Sequence, residues 1–185
     1  MAVLSGYARA LLCLILLMAQ IPQGIRASPA PTEEQVKAVF VFNFSHFVEW
    51  PGQAFASPTA PFVIGVLGSD SFGARLEETV HGEKIGEHLL EVRRYRNLAD
   101  LGDCQILFVD RTQAGQLEQI IAALNRRSTL TVADAEKSAE RGVMMQFVTD
   151  NNRIRLRINV EAARLAGLTI SSKLLRPAEI VAGGG

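Results

Sequence analysis

Three short apolar runs, each bounded by residues that interrupt regular structure, most constrain the fold of this chain. They are "PFVIGVLG" (61–68), "DCQILFVD" (103–110) and "STLTVAD" (128–134). Such runs are typical of strands that are buried on both faces of a sheet. Helical periodicity separates them, in "SDSFGARLEETV" (69–80) and "QAGQLEQIIAALNRR" (113–127), and "HLLEVRRYR" (88–96) predicts a further strand. The alternation predicts an α/β fold with a mostly parallel sheet and helices on both faces.

The pattern changes towards the C-terminus. Two strand-like runs flank the turn signal "TDNN", and they are "GVMMQFV" (142–148) and "RIRLRINV" (153–160). They predict an antiparallel hairpin on the edge of the sheet. A short helix should follow in "VEAARLAG" and end at Gly167. The last segment, "LTISSKLLRPAEIV", is predicted to be part extended and part helical.

The N-terminus has the pattern of an exported protein. Arg9 precedes the apolar run "ALLCLILLMA", which is too short to span a bilayer comfortably, and Ala27 suits a cleavage site. We therefore expect a chain organised as a signal peptide (1–27), an extended leader (28–34), a single α/β domain (35–181) and a disordered tail (182–185). Export would place the mature protein outside the cytoplasm.

The first helix of the mature chain is unusually apolar. Thr32 is a candidate N-cap, and Gln35 stands where a capping box needs it. One apolar face is predicted at helical spacing from Val36, Val39, Phe40, Phe44, Phe47 and Val48, and Pro51 should end the helix. Val41 and Phe42 widen the apolar arc beyond one stripe. A helix of this kind is expected to be buried on more than one side, against its own domain, a second copy or another protein.

Composition and motifs argue against catalysis. The formal net charge is zero, so it gives no argument for a nucleic-acid partner. His46, His81 and His88 are far apart and have no metal-ligand spacing. The glycines of "GVLGSDSFG" lack the Rossmann and P-loop patterns, and "SSKLL" lacks S-x-x-K spacing. We predict that the protein is not an enzyme and has no cofactor or metal; an unrecognised hydrolase or transferase site stays open as a rival.

Cysteine use also limits the chemistry. The chain has 2 Cys, and Cys13 lies inside the apolar run, so the mature chain would keep only Cys104. One thiol cannot form a disulfide within its own chain. Two interpretations of Cys104 stay open: a small inert core residue, or a redox thiol that reacts or pairs between chains.

Basic residues concentrate in the last fifth of the chain. Arg153, Arg155 and Arg157 alternate with apolar residues, which puts three guanidinium groups on one face of a strand. Arg164, Lys173 and Arg176 follow. These residues are either a solvated sheet face that blocks edge pairing or a docking surface for an acidic partner.

Two long blocks identify a family resemblance. "EEQVKAVFVFNFSHFVEWP" and "RIRLRINVEAARLAGLTISSKLLRPAEIV", with "FVIGVLG", "DCQILFVD" and "AERGVMMQFV" between them, resemble the YfiR-like family over about residues 33–181. The resemblance implies a periplasmic α/β protein without catalytic activity. Such proteins repress an inner-membrane diguanylate cyclase by binding its periplasmic sensor domain. Sequestration by an outer-membrane lipoprotein relieves the block, so that cyclic-di-GMP rises and biofilm is favoured.

The resemblance also implies dimers and redox control by disulfides. The best-known member carries several cysteines, whereas only Cys104 of this mature chain matches, within "DCQILF". Switching by an intrachain disulfide is therefore not expected here. A redox role would need a bridge between chains or oxidation of the single thiol.

The candidate site residues lie mainly in the C-terminal block. The charges expected to orient docking are Arg155, Arg157, Glu161, Arg164, Lys173 and Arg176, and the apolar contacts expected beside them are Leu168 and Ile170. Phe42 and Trp50 are candidates for a dimer or partner surface. The main alternative is a small-ligand-binding module with its site at the carboxyl ends of strands, near 68–71 and 110–112.

Overall fold

The computed structural model of the chain describes residues 30–125, 127–151 and 153–182. The expected signal peptide (1–27), the first part of the leader, and 183–185 of the expected tail lie outside these residues. Of the expected leader (28–34), residues 30–32 are exposed and outside regular structure, whereas Glu33 and Glu34 already belong to the first helix.

Helices and strands alternate through the first two thirds of the described chain. The helices are α1 (Glu33–Phe47), α2 (Asp70–Val80), α3 (Leu117–Ala123), α4 (Val160–Leu165) and α5 (Ser172–Leu175). The strands are β1 (Val48–Glu49), β2 (Phe62–Leu67), β3 (Lys84–Ile85), β4 (His88–Tyr95), β5 (Ile106–Val109), β6 (Leu130–Ala133), β7 (Met145–Asp150), β8 (Arg153–Ile158), β9 (Thr169–Ile170) and β10 (Glu179–Ile180).

The main sheet has the strand order β10-β8-β7-β6-β5-β2-β4-β3. Strands β4, β2, β5, β6 and β7 are parallel, which confirms the predicted mostly parallel sheet. Strands β7 and β8 form the predicted antiparallel hairpin. The hairpin is not at the very edge, however, because β10 returns to pair in parallel with β8. Strands β1 and β9 form a separate antiparallel pair.

Helices cover both faces of this sheet, as the sequence predicts. On one face, Phe62, Ile64 and Val66 of β2 pack in a core with residues of α1 and α2. On the other face, Val63 and Leu67 pack in a second core with residues of α3. All six residues of β2 are buried, since successive side chains alternate between two covered faces.

Helix α1 begins as predicted, and its predicted apolar face packs on the core at Phe40, Phe44 and Phe47 but not at Val39. The Gln35 backbone N–H donates to Thr32 Oγ1 at 3.3 Å, and the Thr32 N–H donates to Gln35 Oε1 at 2.7 Å, which completes the capping box. Val41 and Phe44 are fully buried, whereas Val39 is 48% exposed. Val39 lies about 200° around the helix from Val41, so its predicted place on the buried face is wrong.

Two predicted helix boundaries also move. Helix α1 ends at Phe47 rather than continuing to Pro51, and Val48 takes up extended geometry to begin β1. The helix predicted over 113–127 is shorter, because a 3₁₀ turn occupies Arg111–Gln116 and α3 spans only Leu117–Ala123. Val48 pairs with Ile170 of β9, and the Asp110 carboxylate caps the 3₁₀ turn by accepting from the Thr112 N–H.

The predicted end of α4 at Gly167 is confirmed by its backbone. Gly167 has φ +74°, and the Leu168 N–H donates to the Ala163 carbonyl at 2.9 Å. We expect Gly167→Ala to lower the free energy of unfolding by about 1 kcal/mol, because a Cβ disfavours the left-handed conformation. Urea unfolding followed by circular dichroism measures the change. Gly52→Ala is the matched control, since a Cβ there meets nothing within 4 Å; equal losses in both variants would contradict the backbone explanation.

Candidate docking surface

The arginine row of β8 lies on the face opposite to α1. Ile154, Leu156 and Ile158 point into or pack against the core that α1 covers. Strand alternation therefore turns Arg155 and Arg157 to the other face. The side chain of Arg155 is 67% exposed, whereas that of Arg157 is 31% exposed.

Carboxylates from three other segments neutralise much of this row. Arg157 Nη1 lies 2.8 Å from Glu140 Oε1, and its Nε lies 3.0 Å from Glu179 Oε2. Arg155 Nη2 lies 3.6 Å from Asp150 Oδ2. The row is therefore a network of paired charges rather than a free basic patch, and such exposed pairs contribute little to stability.

Helix α4 begins at a buried cap and carries a pair of charges on its outer side. Asn159 is 2% exposed; its Oδ1 accepts from the Ala162 N–H at 2.9 Å and its Nδ2 donates to the Ala139 carbonyl at 3.1 Å. Arg164 Nε and Nη2 lie 2.9 and 2.7 Å from the two carboxylate oxygens of Glu161. Hydrogen bonds from Arg164 lower the pKa of Glu161, and the same bonds raise the pKa of Arg164. Both groups stay charged at neutral pH.

The apolar residue that α4 exposes is not one of the two candidates from the sequence. Leu168 is only 4% exposed and belongs to the core, and Ile170 is half-buried in β9. Leu165 is 73% exposed. Leu165 lies two residues, or about 200° around α4, from the buried Ala163, so the register of the helix turns it outward.

Leu165 borders an apolar groove between α3 and α4. The groove has a volume of about 430 Å³. Its walls include Ile121, Ala122 and Leu124 on one side and Ala162, Leu165 and Ala166 on the other. Arg141 closes one end through a 2.7 Å ion pair with Glu118. An exposed leucine beside such a groove, next to a fixed charge pair, has the character of a protein-binding surface.

The remaining charged candidates are Lys173 and Arg176. Both are exposed, on α5 and at its C-terminal cap. Leu174 between them is 7% exposed and anchors α5 in the core. Four of the candidate residues therefore lie at the surface, namely Glu161, Arg164, Lys173 and Arg176. Leu168 is buried in the core instead.

Phe42 and Trp50 also have contacts within the domain. Phe42 is half-buried, and its ring meets His46 edge-on with centroids 5.0 Å apart. Trp50 packs edge-on against Phe62 at 4.9 Å, and its Nε1 donates to the Gln105 carbonyl at 3.1 Å. Trp50 thus links the start of the domain to the central sheet.

The crevice expected for a small ligand between β2 and β5 is filled. Gly68 has φ +97°, and a Cβ there would lie 2.8 Å from Gln113 Cγ. The Asp110 carboxylate accepts from the N–H and the hydroxyl of Thr112 at 2.9 and 2.6 Å. The side chains of the Arg111–Gln116 turn therefore occupy the predicted position.

His88 contacts a backbone carbonyl and an aromatic ring rather than another histidine. His88 Nδ1 lies 2.6 Å from the Ala60 carbonyl oxygen, and its ring stacks on Phe55 with centroids 4.0 Å apart. Within 30–125, 127–151 and 153–182, no group of three or more His, Cys, Asp or Glu could hold a metal ion. Across those same ranges, no helix is long and apolar enough to cross a membrane.

Comparison with models of known protein families identifies the family of this chain. A family model described as YfiR/HmsC-like matches residues 34–179. The chain belongs to the YfiR/HmsC-like family. This family is one of periplasmic regulators of diguanylate cyclases, regulatory rather than catalytic. A search of the curated proteins finds no match.

A solved structure supports the fold of this YfiR/HmsC-like chain. It is the crystal structure of the ABC domain in complex with L-Trp from Streptococcus pneumonia, which is 15% identical with a TM-score of 0.53. The match covers 80% of this chain and 60% of that one, so the chain spans less than two thirds of that structure. At this identity the likeness concerns the α/β fold alone.

The two sequence blocks that carry the family resemblance meet in space. Val48 pairs with Ile170 across β1 and β9, and the Ser171 N–H donates to the Phe47 carbonyl at 2.8 Å. The end of α1 is thus held against the segment that joins α4 to α5. This contact positions the surface around α4 relative to the main sheet.

Cys104 is buried in the second core. It is 4% exposed, and burial raises the pKa of its thiol to about 12, although Arg127 partly opposes the shift. The thiolate is the reactive form of cysteine. The position gives Cys104 the environment of an inert core thiol.

We expect the folded protein to resist thiol reagents. With a pKa of about 12, only about one thiol in ten thousand is ionised at pH 8, and access is also blocked. Labelling with Ellman's reagent should be slow in buffer and complete in urea. Cys104→Ser gives the background signal from any other thiol, and rapid labelling of folded wild type above that background would contradict the prediction.

Proposed function

We propose that this protein is a periplasmic, non-catalytic repressor. It binds the periplasmic sensor domain of an inner-membrane diguanylate cyclase and lowers cyclic-di-GMP signalling, which restrains biofilm formation. The match of the YfiR/HmsC-like family over residues 34–179 carries this proposal. We also propose that residues 1–27 direct export.

The surface around α4 is proposed as the docking site. Leu165 is 73% exposed beside an apolar groove of about 430 Å³. Full burial of a leucine side chain contributes about 1.5–3 kcal/mol, so this residue suits a central anchor. The charged candidates would surround it and fix orientation: Arg155, Arg157, Glu161, Arg164, Lys173 and Arg176. Leu168 and Ile170 would act indirectly, by holding the segment in the core.

Repression requires a difference in affinity. The protein can shift the sensor domain only if it binds the inactive arrangement more tightly than the active one. An outer-membrane lipoprotein that binds the same surface would compete with the sensor domain. Its binding would release the cyclase without any chemical step on this protein.

Replacement of Leu165 tests the docking site. We expect Leu165→Glu to abolish capture of the cyclase and to raise cyclic-di-GMP, because a carboxylate cannot enter an apolar contact without a large desolvation cost. The fold should be retained, since Leu165 is already exposed. Leu89→Glu is the matched control, because Leu89 is a leucine that is 44% exposed on β4.

The measurement is crosslinking in the intact envelope, followed by gentle solubilisation, capture through a C-terminal tag and mass spectrometry. Wild type and Leu89→Glu should recover an inner-membrane protein with a cytoplasmic cyclase domain. Equal recovery by Leu165→Glu would remove α4 from the docking site. If the tagged wild-type protein is functional but captures no cyclase, the proposal that it represses a cyclase would be contradicted.

A dimer through α1 is proposed separately. Phe42 is half-buried, packs partly against the core and meets the His46 ring edge-on. We expect Phe42→Asp to abolish self-association while the monomer stays folded, because a charge would replace an apolar contact between copies. Sedimentation gives the mass and circular dichroism gives the folding. An unfolded variant would show instead that Phe42 serves the core, and an unchanged mass would move the interface elsewhere.

A further inference from the structure

The carboxyl end of β6 leaves a notch in the sheet. Strand β6 ends at Ala133, which pairs with Gln146, whereas its neighbour β7 continues to Asp150. Among the residues that the structure describes, the part of β7 beyond Gln146 therefore has no strand partner on the β6 side, although it still pairs with β8 on the other. The notch has a volume of about 250 Å³, and its lining includes Glu33, Lys37, Arg111, Asp134, Glu136 and Phe147.

A buried ion pair forms the inner wall of this notch. Lys37 Nζ lies 2.9 Å from Asp134 Oδ2, and their side chains are only 5% and 6% exposed. The same ammonium lies 2.6 Å from Glu33 Oε1. Arg111 Nη2 reaches Asp134 Oδ2 at 3.0 Å from the more exposed side. These contacts join α1 to the ends of β5 and β6.

One oxygen of Asp134 is left without a donor. Both cations use Oδ2, and Asp134 Oδ1 is buried with no hydrogen-bond partner among the described residues. A buried carboxylate oxygen without a donor is costly, because it has lost water and gained no replacement. Asp134 lines the notch, but Oδ1 itself is closed to water, so a donor in the notch reaches this oxygen only when the carboxylate turns towards it.

The net charge of the residues that line the notch indicates that the entering group is a cation. Three carboxylates, of Glu33, Asp134 and Glu136, face two protein cations, of Lys37 and Arg111. One further positive charge would complete the balance. The ring of Phe147, 6.0 Å from Lys37 Nζ, supplies an apolar wall for a short hydrocarbon chain. The volume is below the roughly 300–1,000 Å³ of pockets for drug-sized ligands, so the ligand must be small.

We propose that this notch binds a small aliphatic amine: the Asp134 carboxylate turns so that Oδ1 accepts from its ammonium group, and Glu136 holds that group electrostatically. The few carbon atoms of the amine lie against Phe147. The site is separate from the docking surface on α4, and binding here does not depend on the repressor proposal. It also differs from the crevice between β2 and β5, which Gln113 fills.

Titration of the isolated protein tests the site. The protein, expressed from its full chain and purified, is titrated with n-butylamine at pH 7.5 by calorimetry and by amide NMR shifts. We expect saturable binding, with shifts concentrated near Asp134 and Phe147. The uncharged n-butanol, which has the same four carbons, should bind at least about tenfold more weakly, since hydrogen bonds to charged groups contribute about 1.5–3 kcal/mol.

Two variants locate the binding. Asp134→Asn should weaken n-butylamine binding by about tenfold or more. Glu136→Gln should weaken n-butylamine binding less. Because Glu136 is exposed, this variant should fold, and it therefore tests the site even if Asp134→Asn does not fold. Glu161→Gln, an exposed carboxylate on α4, is the matched control and should leave the affinity unchanged. Equal binding of n-butanol, or unchanged affinity in Glu136→Gln, would overturn the proposal.

Discussion

The burial of β2 on both faces is the constraint on which the rest of the structure depends. Each of its six positions, from Phe62 to Leu67, is apolar or glycine and is hidden from water. A strand of this kind needs a neighbour on each side and a helical layer on each face. Strands β4 and β5 supply the neighbours, and α1, α2 and α3 supply the layers. The two cores follow from this single requirement.

The C-terminal segment is added to this framework by a few specific contacts. The pairing of Val48 with Ile170 fixes one end of the segment, and Asn159 fixes the start of α4 through two buried hydrogen bonds. Leu168 and Leu174 hold it in the core. As a result α4 is held on the surface with Leu165 outward, although it is only six residues long and could not form alone. A rigid, exposed leucine suits recognition because little freedom is lost on binding.

For several site residues, the sequence predicts the chemical type of the side chain but neither its exposure nor its partners. The alternation on β8 correctly puts the arginines on one face, yet their partners, Glu140 and Glu179, come from separate segments. Leu168 and Leu165 have the same chemistry, and the register of a short helix decides which is exposed. The pair of Lys37 and Asp134 was missed because 97 residues separate them and neither belongs to a motif. Contacts at such distances in the chain leave no local pattern.

The sequence by itself determined the strand runs, the capping of α1 by Thr32, the hairpin and the stop at Gly167. These features depend on backbone preferences and on side-chain periodicity, and both can be recognised from a few neighbouring residues. Only the tertiary structure decided which side of α1 is buried, which arginines are neutralised and where the sheet leaves a notch. Those outcomes depend on the packing of segments far apart in the chain, and packing is settled by the whole core at once.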